Sequence, residues 1–366
     1  MSSDSNLGII SLESYIDKAK RINQILCGWR HQDNFLIDVQ CPRFASGEAK
    51  AVIKQSVRNK DIYIIVDVCN NSLKYKMDGE LNRMSPDDHY QDLKRVIAAC
   101  NGKAKRITVI MPFLYESRQH RKTARESLDC AVMLNELQFL GVDNIVTFDA
   151  HDPRMQNVLP LNGIENISPA LQFTQALLTE YEDIKIGPEH LMFIAPDEGA
   201  TERVVFFASV FGVNIGMFYK RRDYANIVDG TNPIIAHDFC GGDLQGLDAI
   251  VVDDMIASGG SIIDVCKQIK DRGAKRIFIF ATFGLFSSGF DKLDIAYEEG
   301  LFDRIFTTNL IYQKPELLEK KYYYGVNMNQ YMAAIIDTLN HHSSMQALTK
   351  PAARIRETIR NYKRPE

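Results

Sequence analysis

Two adjacent carboxylates, Asp253 and Asp254, close the apolar run 249–252, and after Met255-Ile256 comes the small turn Ala257-Ser258-Gly259-Gly260-Ser261. A helix-like stretch, 262–272, follows. At a helix N-terminus such a turn suits an anion, because unpaired backbone N–H groups and the helix dipole both favour negative charge. Ionised acids only accept hydrogen bonds, so the pair suits sugar hydroxyls or a hydrated divalent cation. Together they read as a sugar-phosphate site. The competing reading is a tight βα turn whose glycines serve geometry and whose acids cap the next helix.

Four further clusters also follow apolar runs. Lys220-Arg221-Arg222 could grip phosphates, Arg through a planar fork and Lys as a mobile point charge, or be a solvated loop. Asp149-Ala150-His151-Asp152 offers a His flanked by acids, suited to a divalent ion or to tying a loop by hydrogen bonds. Ser117-Arg118-Gln119-His120-Arg121-Lys122 suits a polyphosphate or a purine, or is a charged turn capping a helix from Thr123. Pro196-Asp197-Glu198-Gly199-Ala200 presents carboxylates, or simply caps a helix. In a doubly wound sheet the carboxyl ends of strands converge on one crevice, so the shared placement weighs more than any single cluster.

The elements that would position them alternate. Strand-like runs fall at 61–66, 107–111, 144–148, 191–195, 214–218, 249–252, 277–281 and 305–306. Helix-like stretches fall at 12–26, 92–99, 124–140, 170–181, 203–211, 262–272 and 328–340. Alternation predicts a mainly parallel α/β architecture. Ala-Lys-Arg-Ile occurs at both 104–107 and 274–277, each time after a helix and opening a strand, which suggests a duplicated domain. The boundary is expected within 160–169. We expect domains at 1–165 and 166–340, a tail at 341–366 read as a solvated helical end, and an irregular surface loop at 70–88.

With 366 residues, 45% hydrophobic, 25% charged and a net charge of −4, the chain has the balance of a two-domain globular protein. It carries no basic footprint for nucleic acid. Its N-terminus has no cationic region before an apolar core, so no secretory signal is expected, and no apolar run is long enough to span a membrane. Seven scattered cysteines without a CxxC pair argue against disulfides and thiolate zinc, and fit a reducing, cytoplasmic setting.

On these motifs the chain resembles the ribose-phosphate diphosphokinase (phosphoribosyl pyrophosphate synthetase) family over roughly 44–340. Its 251–261 resembles the family's VVDDMIDTGGT, 220–222 the family's KRR, 118–123 its RQDRKT, and 149–152 its DLHA. Likewise 196–200 resembles PDxGG, 44–48 FSDGE and 281–289 ATHGLFSG. The resemblance implies two tandem phosphoribosyltransferase-type domains, Mg2+ as cofactor, and usually a homo-oligomer, hexameric or dimer-based. It implies transfer of a diphosphoryl group from ATP to the anomeric hydroxyl of ribose 5-phosphate. Phe44, Ser46, Gly47, Glu48, Arg118 and Gln119 would then hold ATP. Asp253, Asp254, Ala257, Ser258, Gly259, Gly260, Ser261 and Arg222 would hold ribose 5-phosphate. Lys220 and Arg222 would be catalytic, and Asp149, His151 and Asp197 would place the metal.

Several positions depart from the family pattern. Ala257, Ser46 and His120 each stand where the family has Asp, and Phe283 where it has His. The 70–88 segment and the tail exceed the family's usual length. These departures motivate an alternative, a catalytically impaired paralogue that joins or regulates synthetase assemblies. A phosphoribosyltransferase would explain 249–261 but not the KRR or the duplicated N-terminal half.

Overall fold

The computed structural model describes residues 6–222 and 234–362, without the side chains of 220–222 and 234–237. The chain divides into two compact units. One comprises Met1–Ser168, Asn309–Tyr312 and Asn327–Lys350, the other Pro169–Thr308, Gln313–Val326 and Pro351–Glu366. This differs from a division at 165 and 340. The last strand of the first sheet runs to Ile167, and helix Asn329–Asn340 belongs to the first unit, where its Asp337 and Asn340 accept from Arg30.

The first unit contains β1 (Leu7–Ser11), β2 (Leu36–Ile37), the short pair β3 (Val39–Gln40) and β4 (Val52–Ile53), and β5 (Asp61–Ile65). Then come the hairpin β6 (Lys74–Met77) and β7 (Glu80–Arg83), β8 (Arg106–Ile110), β9 (Asn144–Phe148) and β10 (Gly163–Ile167). The second contains β11 (Leu191–Ala195), β12 (Asn214–Arg222), β13 (Ile234–Gly241), β14 (Asp248–Ile256), β15 (Arg276–Gly284), β16 (Arg304–Thr308) and β17 (Tyr323–Val326). The main sheets run β2-β1-β5-β8-β9-β10 and β13-β12-β11-β14-β15-β16-β17. All ladders within them are parallel except β12 with β13. Without β13 the two orders are the same. Buried on both faces, such strands read as continuous apolar runs, and every residue of Leu191–Ala195 is buried.

The sequence echo has a common structural cause. Arg106 pairs in register with Asp61, and its Nε donates to that carboxylate at 2.7 Å. Arg276 pairs in register with Asp248, donating at 2.9 Å. The next residue, Ile107 or Ile277, donates its N–H to Asp143 or Asp303, each at 2.8 Å. Both halves therefore lock the start of the same strand pair with one Arg and two carboxylates.

Two peripheral segments differ from expectation. Residues 70–88 hold the hairpin β6–β7 and the start of helix Pro86–Cys100, which is closed by a capping box between Ser85 and Asp88. In the tail, helix Ala352–Asn361 buries Ile355, and the Tyr362 hydroxyl accepts from Ile184 N–H and donates to Tyr181 O. Helix Ala352–Asn361 and Tyr362 are docked rather than solvated.

Candidate active site

In open α/β sheets the ligand crevice lies at the carboxyl ends of strands where the strand order reverses. In the second unit the chain goes from β11 to β12 on one side and returns to β14 on the other, so the reversal lies between β11 and β14. The turn after β11 carries Asp197, and β14 carries Asp253 and Asp254 close to its end. Asp197 caps the turn that follows it, accepting from Gly199 N–H at 3.0 Å. Asp254 is 4% exposed and its N–H donates to the Asp253 carboxylate at 2.8 Å. Burial pushes the Asp253 carboxyl well above the usual carboxylate range, and the Asp254 and Asp197 charges push it further. The three acids therefore repel one another and favour a cationic or hydroxylated guest. Arg203, on helix Thr201–Phe211, ties the two turns together, reaching Gly199 O at 3.2 Å and the Asp254 carboxylate at 4.0 Å. Arg203 carries no motif of its own; its place in the first turn of the helix after the 196–200 cluster is the signal the sequence offers.

The next turn is built for an anion. Gly259 has φ +85°, a conformation L side chains rarely adopt, and helix Gly260–Asp271 starts directly after it. A Cβ at Gly259 would meet only Leu293 at 3.4 Å, so backbone conformation rather than space requires the glycine. The turn is backed by Ser287 N–H donating to Ala257 O at 2.9 Å. Ser258 and Ser261 are exposed.

The first unit has its corresponding reversal between β1 and β5, but there the turn is filled by the chain itself. Asp67 is fully buried; its carboxylate accepts from Cys69 N–H at 2.9 Å and from Tyr312 N–H at 2.5 Å. A carboxylate occupies the amides that could otherwise meet a phosphate. Of the two duplicated positions, the second unit's suits a sugar phosphate.

Lys220 and Arg222 lie on β12, whose last parallel pair with β11 is Ala195↔Met217. Lys220 is three residues further on, so at about 3.3 Å per residue its backbone runs roughly 10 Å past that pair. The side chains of Lys220 and Arg222 fall outside the described residues.

The remaining expected residues lie in the first unit. Phe44 N–H donates to Glu48 O at 2.7 Å and Gly47 N–H to Phe44 O at 3.0 Å, making a tight loop with Ser46 Oγ donating to Glu48 at 3.0 Å. Phe44 is 53% exposed, and an exposed aromatic side chain can stack on a base. Arg118 is exposed, whereas Gln119 spends its amide on Ser127 O at 2.9 Å and so holds the loop after β8. No helix starts at Thr123: its N–H bonds forward to Glu126 at 3.2 Å, and the helix begins at Asp129.

β8 and β9 are neighbours, so their loops meet. His120 Nε2 lies 3.2 Å from the Asp152 carboxylate, and the His120 and His151 rings sit 5.4 Å apart edge to face. Asp149 has φ +39°, a strained value for a non-glycine residue, and His151 is exposed. Hydrogen bonds from Arg154 hold the Asp152 carboxyl down to about 2, with His120 a lesser contributor. A depressed acid stabilises the fold above its ordinary pKa, and that contribution fades as pH falls toward 2. Arg154 is 77% exposed, which keeps the effect small. In Arg154→Ala the Asp152 pKa, read by NMR titration, should move up toward about 3.9; no change would refute the pairing.

Among the described residues no group of three or more His, Cys, Asp or Glu is arranged to hold a metal ion. Mg2+ is usually held by one or two carboxylates with substrate phosphates and water completing the shell, and Asp149 in the first unit and Asp197 in the second are carboxylates of that kind.

The fold is thus a pair of mainly parallel α/β units of phosphoribosyltransferase type. Known proteins share it. Residues 7–141 match the N-terminal domain of ribose phosphate pyrophosphokinase, and 232–350 the phosphoribosyl synthetase-associated domain. The ribose-phosphate pyrophosphokinase of Mycoplasma pneumoniae is 30% identical over 277 residues, 74% of this chain and 75% of that one. The ribose-phosphate pyrophosphokinase of Vibrio parahaemolyticus is 27% identical over 316 residues, 85% of this chain and 90% of that one. The crystal structure of phosphoribosylpyrophosphate synthetase from Mycobacterium smegmatis superposes with a TM-score of 0.74 at 21% identity, covering 92% of this chain and all of that one, and shows the shared fold. The chain belongs to the ribose-phosphate pyrophosphokinase family.

Proposed function

We propose that this protein transfers the β,γ-diphosphoryl group of ATP to the C1 hydroxyl of ribose 5-phosphate. The hydroxyl oxygen bonds to the β-phosphorus, the bond from that phosphorus to the α,β-bridging oxygen breaks, AMP leaves, and the hydroxyl proton passes to solvent. The observation that carries the reading is the reversal between β11 and β14, where paired acids precede an open helix-terminal turn. The 5-phosphate sits on the 257–261 turn and the ribose hydroxyls donate to Asp253 and Asp254. Phe44, Ser46, Gly47, Glu48 and Arg118 contact ATP, with Gln119 shaping the loop after β8. Lys220 and Arg222 neutralise charge on the group in flight, and no protein nucleophile is required. Bound Mg2+, with Asp197, Asp149 and His151 as donors, supplies charge neutralisation and alignment of the phosphates.

No helix among the described residues is long and apolar enough to cross a membrane. All seven cysteines are free, which supports a reducing, cytoplasmic location. A homo-oligomer belongs to the same reading. Ala257 and His120 favour a second reading, an assembly partner without turnover of its own. Purified protein given Mg2+, phosphate and ATP, GTP or CTP in turn should form nucleoside monophosphate only when ribose 5-phosphate is present. No monophosphate with any donor would leave the second reading standing.

A further inference from the structure

The loop that would meet the nucleotide, 44–48, is not part of either main sheet; apart from its own turn bonds it has one flanking bridge, Arg43↔Ala49. What braces it is the tip of the β6–β7 hairpin. Asp78 N–H donates to Ala45 O at 2.9 Å. Gly47 has φ +89°, and a Cβ there would lie 2.8 Å from Met77 Sδ, so the Met77 thioether is seated directly against that glycine. Below the tip, the Arg43 guanidinium lies over the Tyr75 ring at 4.8 Å while holding Asp92 at 2.8 Å. The hairpin is itself fixed at its base. His89 Nε2 bonds Asn70 O at 2.7 Å and the Asn70 amide donates to Ser14 O at 2.8 Å. The turn Asp78-Gly79, with φ +50° and +85°, has the two left-handed residues a tight two-residue hairpin requires.

We infer that this hairpin is a positioning element for the nucleotide loop: Met77 and Asp78 hold 44–48 in its binding shape before ATP arrives. This rests on the reading that 44–48 contacts ATP. Ordering a loop in advance removes an entropic cost from binding, so the effect appears in nucleotide affinity and not in the ribose 5-phosphate site or in turnover at saturation. The ends of the hairpin already touch, Met84 N–H donating to Leu73 O at 2.9 Å, so a Gly-Gly turn can replace 74–83. Three full-length variants test the role: that replacement, Met77→Ala, and Leu81→Ser as a control at a side chain 59% exposed. Affinity for an ATP analogue with a methylene between the α and β phosphorus is read by calorimetry, together with KM for each substrate. The replacement and Met77→Ala should weaken analogue binding and raise KM for ATP about tenfold, leaving KM for ribose 5-phosphate and kcat at saturating ATP unchanged. Leu81→Ser should match wild type. If wild type binds the analogue and Met77→Ala binds it equally well, the positioning role is overturned alone, whether or not the replacement folds. If wild type binds no analogue, the nucleotide reading of 44–48 falls and takes this role with it.

Discussion

Lys220→Ala is expected to lower kcat for AMP formation about 10³-fold, the scale seen when a cationic clamp on a transferring phosphoryl group is removed. The reason is placement. β12 leaves its last pairing with β11 at Met217 and carries the Lys220 backbone past the edge where the 257–261 turn and the two acids lie. In the proposed reaction a cation there would act on charge that develops during transfer, so its loss should appear in kcat while KM for ribose 5-phosphate stays within about twofold. Lys220→Arg should recover part of the rate, since charge is kept and only shape changes. The measurement is steady-state AMP release for the three proteins. Equal kcat in wild type and Lys220→Ala would remove Lys220 from the chemistry.

Asp253→Asn should separate stability from activity in opposite directions. The wild-type carboxyl is held well above its ordinary range by burial and by two neighbouring carboxylates. A raised acid binds its proton more tightly folded than unfolded. Stability attributable to it is therefore fully present below about pH 3.9 and is lost as pH rises through the raised value. The amide carries no charge, so at pH 8 the variant should melt higher than wild type, by about 2–4 °C for each kcal/mol relieved in a domain of this size. Its kcat/KM should fall about 10²-fold, because an acceptor for a ribose hydroxyl has been lost. Thermal melts across pH, paired with rates, check both halves. A variant that melts lower than wild type at pH 8 would contradict the repulsion among Asp253, Asp254 and Asp197.

What the sequence disclosed follows from which interactions are local. Strands buried on both faces, such as Leu191–Ala195, show as unbroken apolar runs and were legible. β1 was not: Gly8 breaks its apolar run, and a Cβ there would lie 2.7 Å from the terminal methyls of Ile37 and Ile62. In the hairpin β6–β7, β6 alternates exposed lysines with half-buried Tyr75 and Met77 and β7 is mostly exposed, so neither strand shows an apolar run. Helix-forming residues at 124–128 stay irregular because Glu126 bonds back to Thr123 and Gln119 holds Ser127. At the candidate site, the acids and glycines of 253–261 announce themselves by type and spacing. The His120–Asp152 contact and the Arg203 tie are products of strand adjacency, which no local pattern encodes. His120 differs from the family pattern and yet has a partner, so the loops after β8 and β9 remain joined.

In the proposed reaction a diphosphoryl group, not a single phosphoryl group, moves onto ribose 5-phosphate. ATP carrying an isotope only on its β-phosphorus distinguishes the two. Incubated with Mg2+, ribose 5-phosphate and the purified protein, the label should pass into a sugar diphosphate as unlabelled AMP accumulates one for one. Label retained in ADP, or left in ATP with no AMP formed, would contradict diphosphoryl transfer.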